Sequence, residues 1–183
     1  MKNNYILKVG DKIVEVGGVY RIFKIIKKKN LEDKPESHAF YKPLYKHKDN
    51  KTVICSIPQA NVEKANIRKP VSKKKMRRAL GLLGQRPNGE NKILATEAKG
   101  LIKENDPIEW ARALRLLWLD KKDESRNFSL GKKTIYRQAM RGLMEEIAVV
   151  YSIGLIKARK KIMYRLKKVI PKKPEEEGKG KKS

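Results

Sequence analysis

A chain of 183 residues with 46 Lys and Arg against 20 Asp and Glu, a formal net charge of +26, is far from the balance of a cytosolic enzyme. Cations at this density add little to folding, but they attract polyanions and displace the counterions condensed on DNA or RNA. With 39% hydrophobic residues the chain can fill one or two small cores and not a large enzyme interior, and its one cysteine, Cys55, excludes an intramolecular disulfide.

From Tyr5 to about Arg68, β-branched and aromatic runs alternate with Gly, Asp, Asn and Pro, which predicts a small β-barrel. Five strands are expected: Tyr5–Val9, Lys12–Val16, Val19–Lys29, His38–Lys46 and Lys51–Ile57. Turns fall at Gly10-Asp11, Gly17-Gly18, Glu32 to Glu36 and Asp49-Asn50. After Pro70 the apolar period changes from two to about 3.6, placing a boundary near residues 69–72. Ser72 is placed to cap a helix running to Gly84, and a weaker helix lies between Glu90 and Lys103. Asp106-Pro107 combines an N-cap with proline at the first helical position, starting a helix with Ile108, Ala111, Leu114, Leu117 and Trp118 on one side. Ser129 caps a long helix whose stripe is Ile135, Ala139, Leu143, Ile147 and Val150. Leu155 to Ile170 reads as a basic helix ended by Pro171, and Lys172 to Ser183 has nothing to bury and is expected to be disordered.

The expected class is therefore α+β in two domains: a β-domain over 1–70, a compact all-α domain over 71–154, and a basic helix with a tail over 155–183. Charge is unequal among them. Residues 1–72 hold 16 basic and 7 acidic side chains, 73–154 hold 18 and 10, and 155–183 hold 12 and 3, so the shortest segment is the most cationic. A share of the lysine is also what an AT-rich genome would produce on ordinary solvated faces.

Catalytic chemistry finds little support. His38 and His47 lie in or beside a predicted strand with no Cys or carboxylate pattern around them, and Cys55 sits in the apolar run Val53–Ile57. Asp106 and Glu109 are explained by helix capping and the helix dipole. Gly81-Leu82-Leu83-Gly84 has the spacing of an RNA-clamping loop but apolar central residues, so a helix end is the better reading. No enzyme activity, metal or cofactor is expected. The N-terminus lacks an apolar stretch of signal-peptide length and no run is long enough to span a bilayer, so a cytoplasmic, nucleoid-associated protein without a membrane partner is expected.

Binding finds more. At Ser129-Leu130-Gly131-Lys132-Lys133 a helix N-terminus is followed by two lysines, which oppose the helix dipole unless a phosphate sits there; two solvated lysines are an equally good reading. Arg137 and Arg141 extend the same edge. Lys73, Lys74, Lys75, Arg77 and Arg78 form a second cluster.

Leu7-Lys8-Val9-Gly10-Asp11-Lys12-Ile13-Val14 resembles the opening of the CarD/CdnL family of bacterial transcription regulators. So do Val53 to Pro58, Asn66 to Val71, Asn105-Asp106-Pro107-Ile108-Glu109-Trp110-Ala111, Phe128 to Lys133, and Glu145-Glu146-Ile147-Ala148. The resemblance spans residues 7–150. It implies a Tudor-like β-barrel that docks on the β subunit of RNA polymerase and a helical domain that contacts promoter DNA and stabilises the open complex, the protein being a monomer when free. Carried over by position, the polymerase contact falls on Lys27, Lys28, Lys29, Ile54 and Ser56, and the DNA contact on Lys92, Lys132, Lys133, Arg137 and Arg141. The sequence departs from the family at Glu15-Val16-Gly17-Gly18, where the family has Tyr-Pro and a Gly-containing turn, and at Ser56, where it has arginine. Asn91-Lys92-Ile93-Leu94 replaces a Trp-x-Arg-Arg wedge, and Lys132 stands where a capping glutamate is usual. The competing reading is an RNA- or ribosome-associated basic protein.

Overall fold

The computed structural model describes residues 6–29, 33–47, 53–86, 93–123, 125 and 127–169. Among them are four strands, β1 (Lys12–Glu15), β2 (Gly18–Lys29), β3 (Pro35–Pro43) and β4 (Cys55–Pro58). They form one antiparallel sheet in the order β1-β2-β3-β4. Five helices follow: α1 (Lys73–Leu83), α2 (Ala95–Lys103), α3 (Pro107–Lys122), α4 (Leu130–Tyr151) and α5 (Leu155–Lys167). The class is α+β.

The first difference from expectation concerns the N-terminal strand. The described sheet is open, and the expected strand Tyr5–Val9 is absent from it: Ile6 to Lys8 join no ladder, and Tyr5 lies outside the described residues. Leu7 is nevertheless a core residue. Its N–H donates to Gln59 Oε1 at 3.1 Å and its carbonyl accepts from Gln59 Nε2 at 3.4 Å, so a side-chain amide takes the part of a neighbouring strand. Val9 is 61% exposed, which breaks the alternation that a strand there would need. β3 begins earlier than expected, because Glu36 and Pro35 still pair with Lys28 and Lys29. It also ends earlier, since Leu44 and Tyr45 leave the sheet to pack on the helices. β4 is shorter than expected, starting at Cys55. The expected turn at Asp49-Asn50 and the tail from Lys172 lie outside the described residues.

The helical expectations are met closely. Ser72 Oγ accepts from Lys75 N at 3.3 Å, Asp106 Oδ1 from Ile108 N at 2.8 Å and Ser129 Oγ from Lys132 N at 3.4 Å, and Gly84 closes α1. Ile135, Ala139, Leu143 and Ile147 are buried as a stripe, with Val150 half-buried. α5 ends at Lys167 and buries Ala158, Ile162 and Leu166. Trp110 is fully buried, donates its indole N–H to Ile102 O at 2.9 Å, and lies so close to α4 that a Cβ at Gly142 would fall 2.2 Å from its ring.

Two clusters fill the interior. Leu7, Ile13, Ile22, Ala39, Tyr41, Ile57, Val62 and Ile67 pack on one side of the sheet. The larger cluster is helical but includes Val14 and Val19 of β1 and β2, so the change of period near residues 69–72 is not a gap in the packing.

Polar contacts lock the seam. Glu146, fully buried, receives Arg68 Nη1 at 2.6 Å and Nη2 at 2.8 Å, and Val71 N at 3.0 Å. Its neighbour Glu145 receives Val19 N at 2.7 Å and lies 2.6 Å from His47 Nε2. Burial raises the Glu145 carboxyl above its ordinary value, against the opposing pull of Val19 N–H, His47 and Arg141. Gly17 supplies a φ of +101° at the β1–β2 turn, and Gly18 leaves room for the carboxylate, since a Cβ there would stand 3.0 Å from Glu145 Oε2. Asn105, in the left-handed region at φ 50°, donates to Val14 O at 3.1 Å and Asn66 O at 2.7 Å, tying the α2–α3 corner to β1.

Candidate nucleic-acid interface

The four described residues of the expected DNA contact separate into three environments. Lys133 and Arg137, one turn apart on α4, are exposed. One turn further, Arg141 is half-buried and donates Nε to Gly17 O at 3.0 Å, so it also anchors the β1–β2 turn. Lys132 is turned inward: its side chain is 13% exposed and its ammonium lies 2.8 Å from the buried carboxylate of Asp120 on α3. Lys132, in the place that a capping-box glutamate would take, thus bridges α3 and α4. Lys92 lies outside the described residues.

Two concavities adjoin this edge. One, of about 340 Å³, is lined by Thr134, Arg137, Gln138 and Arg141. The other, of about 400 Å³, shares Arg137 and Arg141 and has walls from α3, α4 and α5. Trp118, Tyr136, Met140, Met144 and Met163 line it, with Lys121, Arg159 and His47 beside them. Lys121 Nζ lies 5.2 Å from the centre of the Tyr136 ring, and burial pushes the Tyr136 hydroxyl up. The indole N–H of Trp118 is buried and has no hydrogen-bond partner among the described residues.

Sequence reasoning missed this second concavity. Trp118 and the α4 arginines were legible singly, but Arg159 and Lys121 reach the same place from helices separated by turns whose angles no spacing reveals. Helical periodicity assigned Trp118 to the core, which is correct at 6% exposure, without showing that its buried edge lacks a partner.

The expected polymerase contact lies on the sheet. Lys27, Lys28 and Lys29 are exposed at the outer end of β2, opposite Ser37, Glu36 and Pro35. Lys29 pairs with Asp33 at 3.1 Å, and Lys28 Nζ lies 5.2 Å from the Phe40 ring. Phe40 stands opposite both Lys24 and Ser56, so Ser56, Phe40 and Lys24 form a row on the sheet face away from its core residues Ile57 and Ala39. Ile54, two residues before Ser56, is 64% exposed. Phe40 and Lys24 are the members of this patch that sequence reading did not single out.

Other groups weighed for chemistry are dispersed. His38 lies 3.2 Å from Glu36, His47 pairs with Glu145, and Cys55 is half-buried with its thiol raised by burial and by Glu15. Among the described residues no group of His, Cys, Asp and Glu could hold a metal ion, and no helix is long and apolar enough to cross a membrane. The sequence matches no protein-family model, and no curated protein matches it.

Proposed function

We propose that this chain is a CarD-like transcription regulator that binds the β subunit of RNA polymerase through the outer face of its sheet and promoter DNA through the basic edge of α4, stabilising the open complex without catalysis. A Tudor-like barrel for the β-domain, followed by a helical domain packed against it, is the finer form of this reading.

The observation that supports it best is the construction of α4. Its C-terminal half is joined to the sheet through Glu145, Glu146 and Arg141, while its N-terminal half presents Lys133 and Arg137 to solvent. A protein that holds two partners together gains from such a rigid connection, because each binding event then raises the effective concentration for the other. The row of exposed Lys24 and Ser56 about half-buried Phe40, with Lys28 and Ile54 close by, offers the mixed apolar and cationic surface of a protein contact.

The alternative, an RNA- or ribosome-associated protein, draws on α5. That helix carries Lys157, Arg159, Lys160, Lys161, Arg165 and Lys167 with no acidic residue. One experiment separates them: tagged full-length protein is added to a bacterial lysate, and open-complex lifetime is then measured with purified polymerase. Recovery of polymerase and a longer lifetime support the regulator. Recovery of ribosomal subunits without polymerase overturns it.

A further inference from the structure

The 400 Å³ concavity between α3, α4 and α5 has a chemistry that a phosphate-binding edge alone does not need. Its size falls within the range of about 300–1,000 Å³ typical of small-molecule sites. Its walls combine two aromatic rings, Trp118 and Tyr136, with the thioethers of Met140, Met144 and Met163, which adapt to irregular shapes and make favourable contacts with π systems. Among the described residues no carboxylate lines it, while Arg137, Arg141, Arg159 and Lys121 do. Among the described residues, Arg137 and Arg159 have no ion-pair partner.

We infer that this concavity is a binding site for a nucleobase bearing a phosphate. The base lies against Trp118, Tyr136 and the methionines that line the wall. The phosphate lies on Arg137 and Arg159, with Arg141 behind them. Inorganic phosphate would leave the apolar wall unused, and an uncharged aromatic would leave the guanidinium groups unused. The same chemistry is offered by a free nucleotide and by an unstacked base within a single strand, where aromatic side chains accept successive bases with little sequence preference. The inference extends the nucleic-acid half of the reading above and is separable from it.

Fluorescence of 2-aminopurine tests it with the full chain. The probes are 2-aminopurine nucleoside monophosphate, the nucleoside without phosphate, and a short single-stranded oligonucleotide containing one 2-aminopurine. A saturable change with either phosphorylated probe is expected, with dissociation constants at least tenfold weaker for the nucleoside, for Arg137→Gln/Arg159→Gln, and for Tyr136→Ser, which removes the half-buried aromatic wall. Response to the mononucleotide assigns the site to a free nucleotide, and response to the strand alone assigns it to an unstacked base. The inference fails if neither probe responds, if the nucleoside binds equally well, or if correctly folded variants, judged by unchanged circular dichroism, bind like the parent. A silent probe in a protein that still recovers polymerase removes only this site; a responding probe in a protein that ignores polymerase removes only the regulator.

Discussion

The two ends of α4 use charge in opposite ways. Near its C-terminus Glu145 and Glu146 are buried, and each is held by one backbone N–H and one side chain from the sheet half of the molecule. Near its N-terminus Lys133 and Arg137 are exposed, with no acidic partner among the described residues. In a chain of net charge +26, the few buried acids therefore determine how the parts are joined, and the many exposed bases determine what the protein attracts. Net charge describes only the second role. Lys132 marks the border between them, since its ammonium closes an internal bridge to Asp120 two residues after the helix begins.

The largest effect is expected where the acidic end loses its cation. Arg68→Ala leaves the fully buried Glu146 carboxylate with Val71 N–H alone, and breaking a buried pair in this way costs about 3–5 kcal/mol. Urea unfolding followed by circular dichroism measures it, and a loss below about 1 kcal/mol would mean that the seam does not hold the halves together.

A smaller effect attaches to Glu145, whose carboxyl burial raises. A group that binds its proton more tightly when folded stabilises most at low pH, and the contribution is lost as pH climbs from the ordinary carboxylate value of 4.5 through the raised one. Stability is expected to fall over that interval, and Glu145→Gln to flatten part of the fall. Glu15, raised chiefly by its own burial, keeps the remainder. Parallel pH profiles for parent and variant would show Glu145 to be no contributor.

The smallest effect on stability belongs to the basic end. Lys133→Glu removes an exposed cation and should change unfolding free energy by no more than about 0.5 kcal/mol. It should nevertheless weaken duplex DNA binding and reduce the slope of log K against log salt by about one, as loss of a phosphate contact does. An unchanged slope removes Lys133 from the interface. Lys132→Glu is unsuitable for this purpose, because it sets a carboxylate against buried Asp120 and reports on folding.

Local rules made much of this legible in advance. Ser72, Asp106 and Ser129 could be identified as N-caps because a cap is decided within four residues of chain, and the α4 stripe because a helix has a fixed period. The sheet was legible as alternating runs bounded by Gly10 and Gly17, both in the positive-φ region that glycine favours. The loss of the strand expected at Tyr5–Val9 was not. Whether Leu7 joins a ladder depends on Gln59, 52 residues away, and no local pattern says that a side-chain amide will occupy the strand's hydrogen bonds.

The same limit applies to the candidate sites. Composition and cap chemistry were enough to determine a cationic α+β chain with helices starting at known residues and a basic edge on α4. Tertiary structure alone decided that Lys132 turns inward while Lys133 faces water, that Arg68 and Glu146 meet across 78 residues, and that Trp118, Arg137 and Arg159 surround one concavity. Those outcomes depend on how elements cross one another, which is set by the packing of whole faces and not by the order of residues within any one of them.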